Sequence, residues 1–66
     1  MTITLNGQPH TLAAPATIRD LLTHLGFGGR PVVVEQNRKA LLPREHSTAA
    51  VNDGDVIEVV QITAGG

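Results

Sequence analysis

Cysteine, tryptophan and tyrosine are missing from these 66 residues, and Phe27 is the lone member of the Phe, Trp and Tyr set. Without cysteine there is no disulfide, no thiolate metal site and no thiol nucleophile. With one aromatic ring there is no platform on which nucleic-acid bases could stack. Charge of either sign is also in short supply. Five Lys and Arg stand against six Asp and Glu, a formal net charge of −1, so no positive field exists to hold a phosphate backbone. A nucleic-acid partner is therefore not expected. Nor is a membrane, because no apolar run approaches the roughly 20 residues of a spanning helix. The start, Met1-Thr2-Ile3-Thr4-Leu5, has no basic stretch of the kind that opens a signal peptide, and a cytoplasmic location is the expectation.

What remains is globular: 41% hydrophobic and 17% charged residues, enough apolar material to avoid disorder. A chain this short buries only about 60% of its unfolded surface. One domain with an aliphatic core and little room for a deep pocket is implied.

Met1, Ile3 and Leu5 alternate with Thr2 and Thr4, the period of a half-buried strand. Asn6-Gly7 suits the positive φ angles of a tight hairpin turn. The return strand, about Gln8 to Leu12, contains Pro9, which donates no ladder bond and so belongs at a sheet edge. Ile18, Leu21, Leu22 and Leu25 fall at i, i+3, i+4 and i+7, the apolar stripe of a helix. Thr17 caps it, with Asp20 completing a variant capping box, and Gly26 ends it. After a loop at 27–31, Val32 to Gln36 and Lys39 to Leu42 read as strands joined at Asn37-Arg38. Residues 44–52 lack periodicity and are expected to form a loop with at most one helical turn. Asp53-Gly54-Asp55 is a turn that launches the last strand, Val56 to Ile62. The order is ββαββ with a final β. Its economical solution is an α+β domain, a four- to five-stranded mixed sheet packed on one helix with first and last strands parallel, which is the ubiquitin-like β-grasp. The domain is expected over residues 1–62, with 63–66 a flexible C-terminal Gly-Gly tail.

The tail is where chemistry is expected. Ala64, Gly65 and Gly66 are thin, and glycine is free in φ, so the segment can thread a narrow channel. It would deliver the carboxylate of Gly66 into another protein's active site. A carboxylate is a poor electrophile until activated, for example as an acyl-adenylate made with ATP. The last strand offers a docking surface. If Glu58 faces solvent, Ile57 and Val59 are core, and Val56, Val60 and Ile62 point outward. Glu35 likewise carries Val33 to the same side. Exposed aliphatic residues leading to the tail would make a partner-binding patch.

Other residues carry less. His10, His24 and His46 match no metal-ligand spacing, and no nearby acidic group forms an obvious relay with them, so they read as surface or half-buried histidines, and no metal site is expected. Arg38, Lys39 and Arg44 form a small basic cluster at the second hairpin, ordinarily a solvated turn. Gly28-Gly29 lacks the pattern of a phosphate loop and reads as a linker.

Four local features resemble one family across essentially the whole chain. They are the Thr-capped helix from Thr17 to Leu25, Val34-Glu35-Gln36-Asn37 followed by Leu42-Pro43-Arg44, the Asp53-Gly54-Asp55 turn, and Ala64-Gly65-Gly66. Together they are similar to the sulfur carrier of thiamin biosynthesis, the ThiS family. Members often carry an aromatic residue just after the Pro-Arg pair, where this chain has His46-Ser47. The resemblance implies a carrier that is not an enzyme and binds no cofactor itself. A ThiF-like adenylating enzyme would use ATP and Mg to form the Gly66 acyl-adenylate. Sulfur from a cysteine desulfurase-derived persulfide donor would convert it to a thiocarboxylate, and thiazole synthase would receive that sulfur. Three other readings stand beside it: a carrier or small subunit for molybdopterin synthesis, a ubiquitin-like protein modifier, and a plain interaction module.

Overall fold

The computed structural model describes residues 1–13 and 15–63. Its elements in chain order are β1 (Thr2–Leu5), β2 (Gln8–Thr11), β3 (Ala16–Thr17), α1 (Ile18–His24), β4 (Val32–Gln36), β5 (Lys39–Leu41), a 3-10 turn (Pro43–Glu45), β6 (Ala50–Val51) and β7 (Val56–Gln61). Five strands form the main sheet in the order β2-β1-β7-β4-β5. β1 and β7 run parallel, with Thr4 opposite Val56 and Leu5 opposite Ile57, and the other neighbours are antiparallel. This is the expected β-grasp, with the last strand at its centre.

Each hairpin owes its turn to a residue pair that accepts positive φ. Asn6 and Gly7 lie at 49° and 80°, and Asn37 and Arg38 at 52° and 70°, the geometry whose twist matches the flanking strands. Asn6 does more than turn. Its side-chain amide accepts from the Val59 N–H at 2.8 Å and donates to the Val59 carbonyl at 3.3 Å. It thus extends the β1 edge of the ladder after the β1 backbone has turned away. Pro9 sits in the edge strand β2, where its missing donor costs nothing.

The helix is capped as its residues foretell. Thr17 Oγ1 accepts from the Asp20 N–H at 3.2 Å, and the Asp20 carboxylate accepts from the Thr17 N–H at 2.9 Å. The bond from the Thr17 N–H, with the Thr17 hydroxyl close by, holds the Asp20 carboxyl below its ordinary range. At the far end Gly26 (φ 85°) lets its own N–H reach the Thr23 carbonyl and the Phe27 N–H the Leu22 carbonyl, a Schellman closure.

One face of the sheet and the stripe of α1 enclose an all-aliphatic core of Ile3, Leu12, Ile18, Leu21, Leu22, Val34, Val51, Ile57 and Val59, with Phe27 packed at its margin. The expected loop at 44–52 is more ordered than its composition suggests. Pro43 opens the 3-10 turn, where its lack of an N–H is harmless, and the Glu45 carboxylate accepts from the Leu42 N–H at 2.9 Å. β6 then pairs with β3 in a two-stranded sheet, Ala16 opposite Val51 and Thr17 opposite Ala50. Two-residue strands leave no periodic trace, so neither was foreseen. No helix among the described residues is long and apolar enough to cross a membrane.

Candidate functional site

β7 carries the chain out of the sheet toward residues 64–66, so the surface around that exit is the place to look for a site. The side chains of β7 divide cleanly between its two faces. Ile57 and Val59 are buried, while Val56, Glu58 and Val60 are exposed. Val60 lies opposite Val33 on β4. Beyond Gln61 the Ile62 N–H donates to the Pro31 carbonyl at 3.0 Å, so the pairing runs on past the end of β7. Val33, Val56, Val60 and Ile62, the four residues expected in the patch, are 44%, 46%, 60% and 49% exposed. Leu42 belongs with them at 49%. Because Val34 is opposite Leu41, the register carried one step on brings Leu42 beside Val33. Alternation from the inward Leu41 would have found it.

Between the Val33–Val60 row and Val56 sits an acidic pair, Glu35 directly opposite Glu58. Like charges facing across a ladder cost stability. The outer face therefore presents aliphatic side chains on either side of a negative stripe, open to solvent.

The strand that forms this face is set in place by one buried carboxylate. Asp55 is 7% exposed. It accepts hydrogen bonds from Gln36 Nε2 at 2.8 Å, Asn37 Nδ2 at 3.0 Å and the Asn52 N–H at 2.8 Å. Burial alone would raise its pKa, but the bonds from Asn37, Asn52 and Gln36 outweigh it and hold the carboxyl below its ordinary range. Asn37 also accepts from the Val56 N–H at 2.9 Å. The Asp53-Gly54-Asp55 turn is thus tied to the β4–β5 hairpin, a role that turn chemistry alone did not announce.

The other expected residues fall as follows. Ala64, Gly65 and Gly66, the tail and its reactive carboxyl, lie outside the described residues, as does most of the 63–66 segment. His10 and His24 stand edge to face, ring centroids 5.8 Å apart, while His46 is buried elsewhere at 7% exposure. Among the described residues no group of three His, Cys, Asp or Glu could hold a metal ion. Arg38 occupies the second hairpin turn, Lys39 lies in β5 and Arg44 in the 3-10 turn; all three are exposed. Gly28 and Gly29 line a cleft of about 300 Å³ together with Ile62.

Comparison with known proteins places this arrangement. The ThiS family model matches residues 3–66. The sulfur carrier protein ThiS of Thermus thermophilus is 37% identical over 62 residues, covering 94% of this chain and 95% of its own. A thiazole synthase of Paramagnetospirillum magneticum is 36% identical over all 66 residues, and this chain spans 20% of that protein's length. The crystal structure of the thiamine biosynthesis protein ThiS from Geobacter metallireducens superposes with a TM-score of 0.85, at 32% identity, with both chains covered completely. A β-grasp sheet, a matching family model over nearly every residue and a ThiS relative matched over 95% of its own length lead to one conclusion: this chain belongs to the ThiS family.

Proposed function

We propose that the protein is a sulfur carrier in thiamin biosynthesis, and that it serves as a substrate of other enzymes and not as a catalyst. The observation that carries this reading is membership of the ThiS family over residues 3–66, with a domain that offers an outer face beside the strand leading to Gly66. The carboxylate of Gly66 attacks the α-phosphorus of Mg-ATP on a ThiF-like adenylating enzyme, and pyrophosphate leaves. The terminal sulfur of a persulfide, supplied through a cysteine desulfurase, then attacks the acyl carbon and displaces AMP. Reductive cleavage of the S–S bond by a second thiol leaves a thiocarboxylate. That group is ionised at neutral pH, and its soft sulfur is a good nucleophile for thiazole synthase. Similarity of this chain to a segment of proteins named thiazole synthase supports that last partnership, since a segment like this chain then lies within a protein of that name.

Each part of the chain has one task in this scheme. Gly65 and Ala64 thread the partner's channel, where larger side chains would clash. Val33, Val56, Val60 and Ile62, joined by Leu42, dock against the partner. Cysteine is absent from the chain, so the carrier has no thiol of its own, and sulfur is held on the Gly66 carboxyl.

The test is direct. The protein is incubated with the adenylating enzyme, Mg-ATP and a sulfur donor, and its intact mass is measured. One oxygen-for-sulfur exchange located to Gly66 is expected, and an unchanged mass refutes the reading. Deletion of Gly66 is expected to abolish ATP–pyrophosphate exchange; exchange at the parent rate would rule out activation at that carboxyl.

A further inference from the structure

The cleft beside Ile62 has a chemistry of its own. It opens where α1, the 27–31 loop and Pro43 meet, with a volume of about 300 Å³. Leu22, Phe27, Val32 and Ile62 give it apolar walls. Among the described residues every formal charge on its lining is positive: Arg19 and Arg30 contribute, and no Asp or Glu does. In a chain of formal net charge −1 with only five Lys and Arg, two cations at one small cleft without an acid among the lining residues is a marked asymmetry. His46 completes the wall. It is 7% exposed, its Nε2 finds no hydrogen-bond partner among the described residues, and its carbonyl accepts from the Arg19 N–H at 2.7 Å. A buried polar atom left unpaired costs free energy, and such atoms mark places where a partner group is missing.

We propose that this cleft receives a carboxylate side chain, Asp or Glu, from a partner protein, seated beside a large apolar side chain of the same segment. The two guanidinium groups match a carboxylate in charge, and the planar fork of arginine matches it in shape. The apolar walls take the neighbouring side chain. The volume is at the bottom of the roughly 300–1,000 Å³ range of small-molecule pockets, which suits one or two side chains better than a nucleotide. Ile62 lines this cleft and is itself exposed, two residues beyond Val60. A partner covering Val33 and Val60 therefore reaches the cleft by crossing one residue. The inference rests on the docking carrier proposed above and specifies what the docking segment carries. An ion pair in a partly dry cleft also sets orientation, because a wrong partner leaves both arginines facing apolar surface.

Hydrocinnamate, a carboxylate on an apolar ring, is the probe, with hydrocinnamide as its neutral twin. Both are titrated into ¹⁵N-labelled protein while amide shifts are followed. Saturable shifts are expected at Arg19, Thr23, Phe27, Arg30, Val32 and His46, with the acid binding about tenfold more tightly than the amide. The Arg19→Gln/Arg30→Gln double variant is expected to bind both probes equally. Both arginines are exposed, so the variant keeps its fold, which its unchanged amide dispersion verifies. No shifts, or equal affinity for acid and amide in the parent, overturns the proposal. So does inorganic phosphate moving the same amides at lower concentration, since the site would then be a phosphate site. None of these outcomes depends on sulfur transfer. A failed oxygen-for-sulfur exchange at Gly66 would strike the carrier reading and leave the cleft result standing.

Discussion

Replacing Asp55 by alanine removes the acceptor for Gln36 Nε2, Asn37 Nδ2 and the Asn52 N–H at one stroke. A hydrogen bond to a charged group contributes about 1.5–3 kcal/mol, so three could contribute several kcal/mol. Two discounts apply. Asn37 and Asn52 are exposed and regain water, and Gln36 keeps its bond to the Ala50 carbonyl at 2.8 Å. A net cost of about 2–4 kcal/mol follows. A domain of 66 residues has a total stability of roughly 3–10 kcal/mol, and each kcal/mol moves Tm by about 4–8 °C. The variant should therefore melt about 8–32 °C below the parent, on the same estimate. With neither Trp nor Tyr in the chain, the transition is followed by far-UV circular dichroism in urea and on heating. The pH dependence has a definite sign. The Asp55 carboxyl is held below 3.8 in the folded protein. Its contribution is complete above that value and is lost as pH falls through the folded pKa. Asp55→Asn should cost stability at pH 7 and close the gap to the parent as pH drops below about 4, in line with that linkage. If Asp55→Ala lies within about 0.5 kcal/mol of the parent, the range of ordinary surface substitutions, or if the Asn variant keeps a constant gap at all pH values, the turn is not held by this carboxylate.

Three further outcomes are expected. Gly26→Ala meets open space but must hold φ at 85°, so it should lose about 1–2 kcal/mol in urea denaturation while keeping its helical dichroism. Ile57→Ala empties a fully buried site at the centre of the sheet and should cost about 2–5 kcal/mol, measured the same way. Val60→Asp places a charge on a residue that is 60% exposed; Tm should stay within a few degrees, as for surface changes generally. Binding to the adenylating enzyme, read by titration calorimetry, should weaken at least tenfold; early unfolding with normal binding would invert the face assignment.

Local chemistry was largely legible in the sequence. Thr17 with Asp20, and Gly26, each fix their own few residues through bonds that span no more than five positions, and Asn6-Gly7 turns its hairpin through its own φ angles. Strand alternation likewise put Val56 and Val60 outward and Ile57 inward. Relations across the fold were hidden. Asp55 reads as an ordinary turn residue, and only the packing of β7 against β4 brings it to Gln36 and Asn37. Likewise β3 meets β6 across 33 or more positions with two residues each, too few to form a pattern. The cleft is assembled from α1, a loop, the 3-10 turn and the end of β7, and no stretch of sequence contains it. The three histidines looked equivalent, yet His10 and His24 lie ring to ring and His46 stands alone in the cleft wall.

The parallel seam between β1 and β7 has a mechanical consequence. A partner that grips the segment beyond Ile62 and pulls it into a channel draws β7 lengthwise against β1. The Thr4 N–H to Asp55 carbonyl and Asn6 N–H to Ile57 carbonyl bonds, both 2.9 Å, lie across that pull and must break together. On its other side β7 is bonded to β4 along most of its length. Tension at the exit is thus shared among many bonds in shear and does not peel them one at a time. The domain behaves as an anchor, able to stay folded while its end is drawn taut, handled and released.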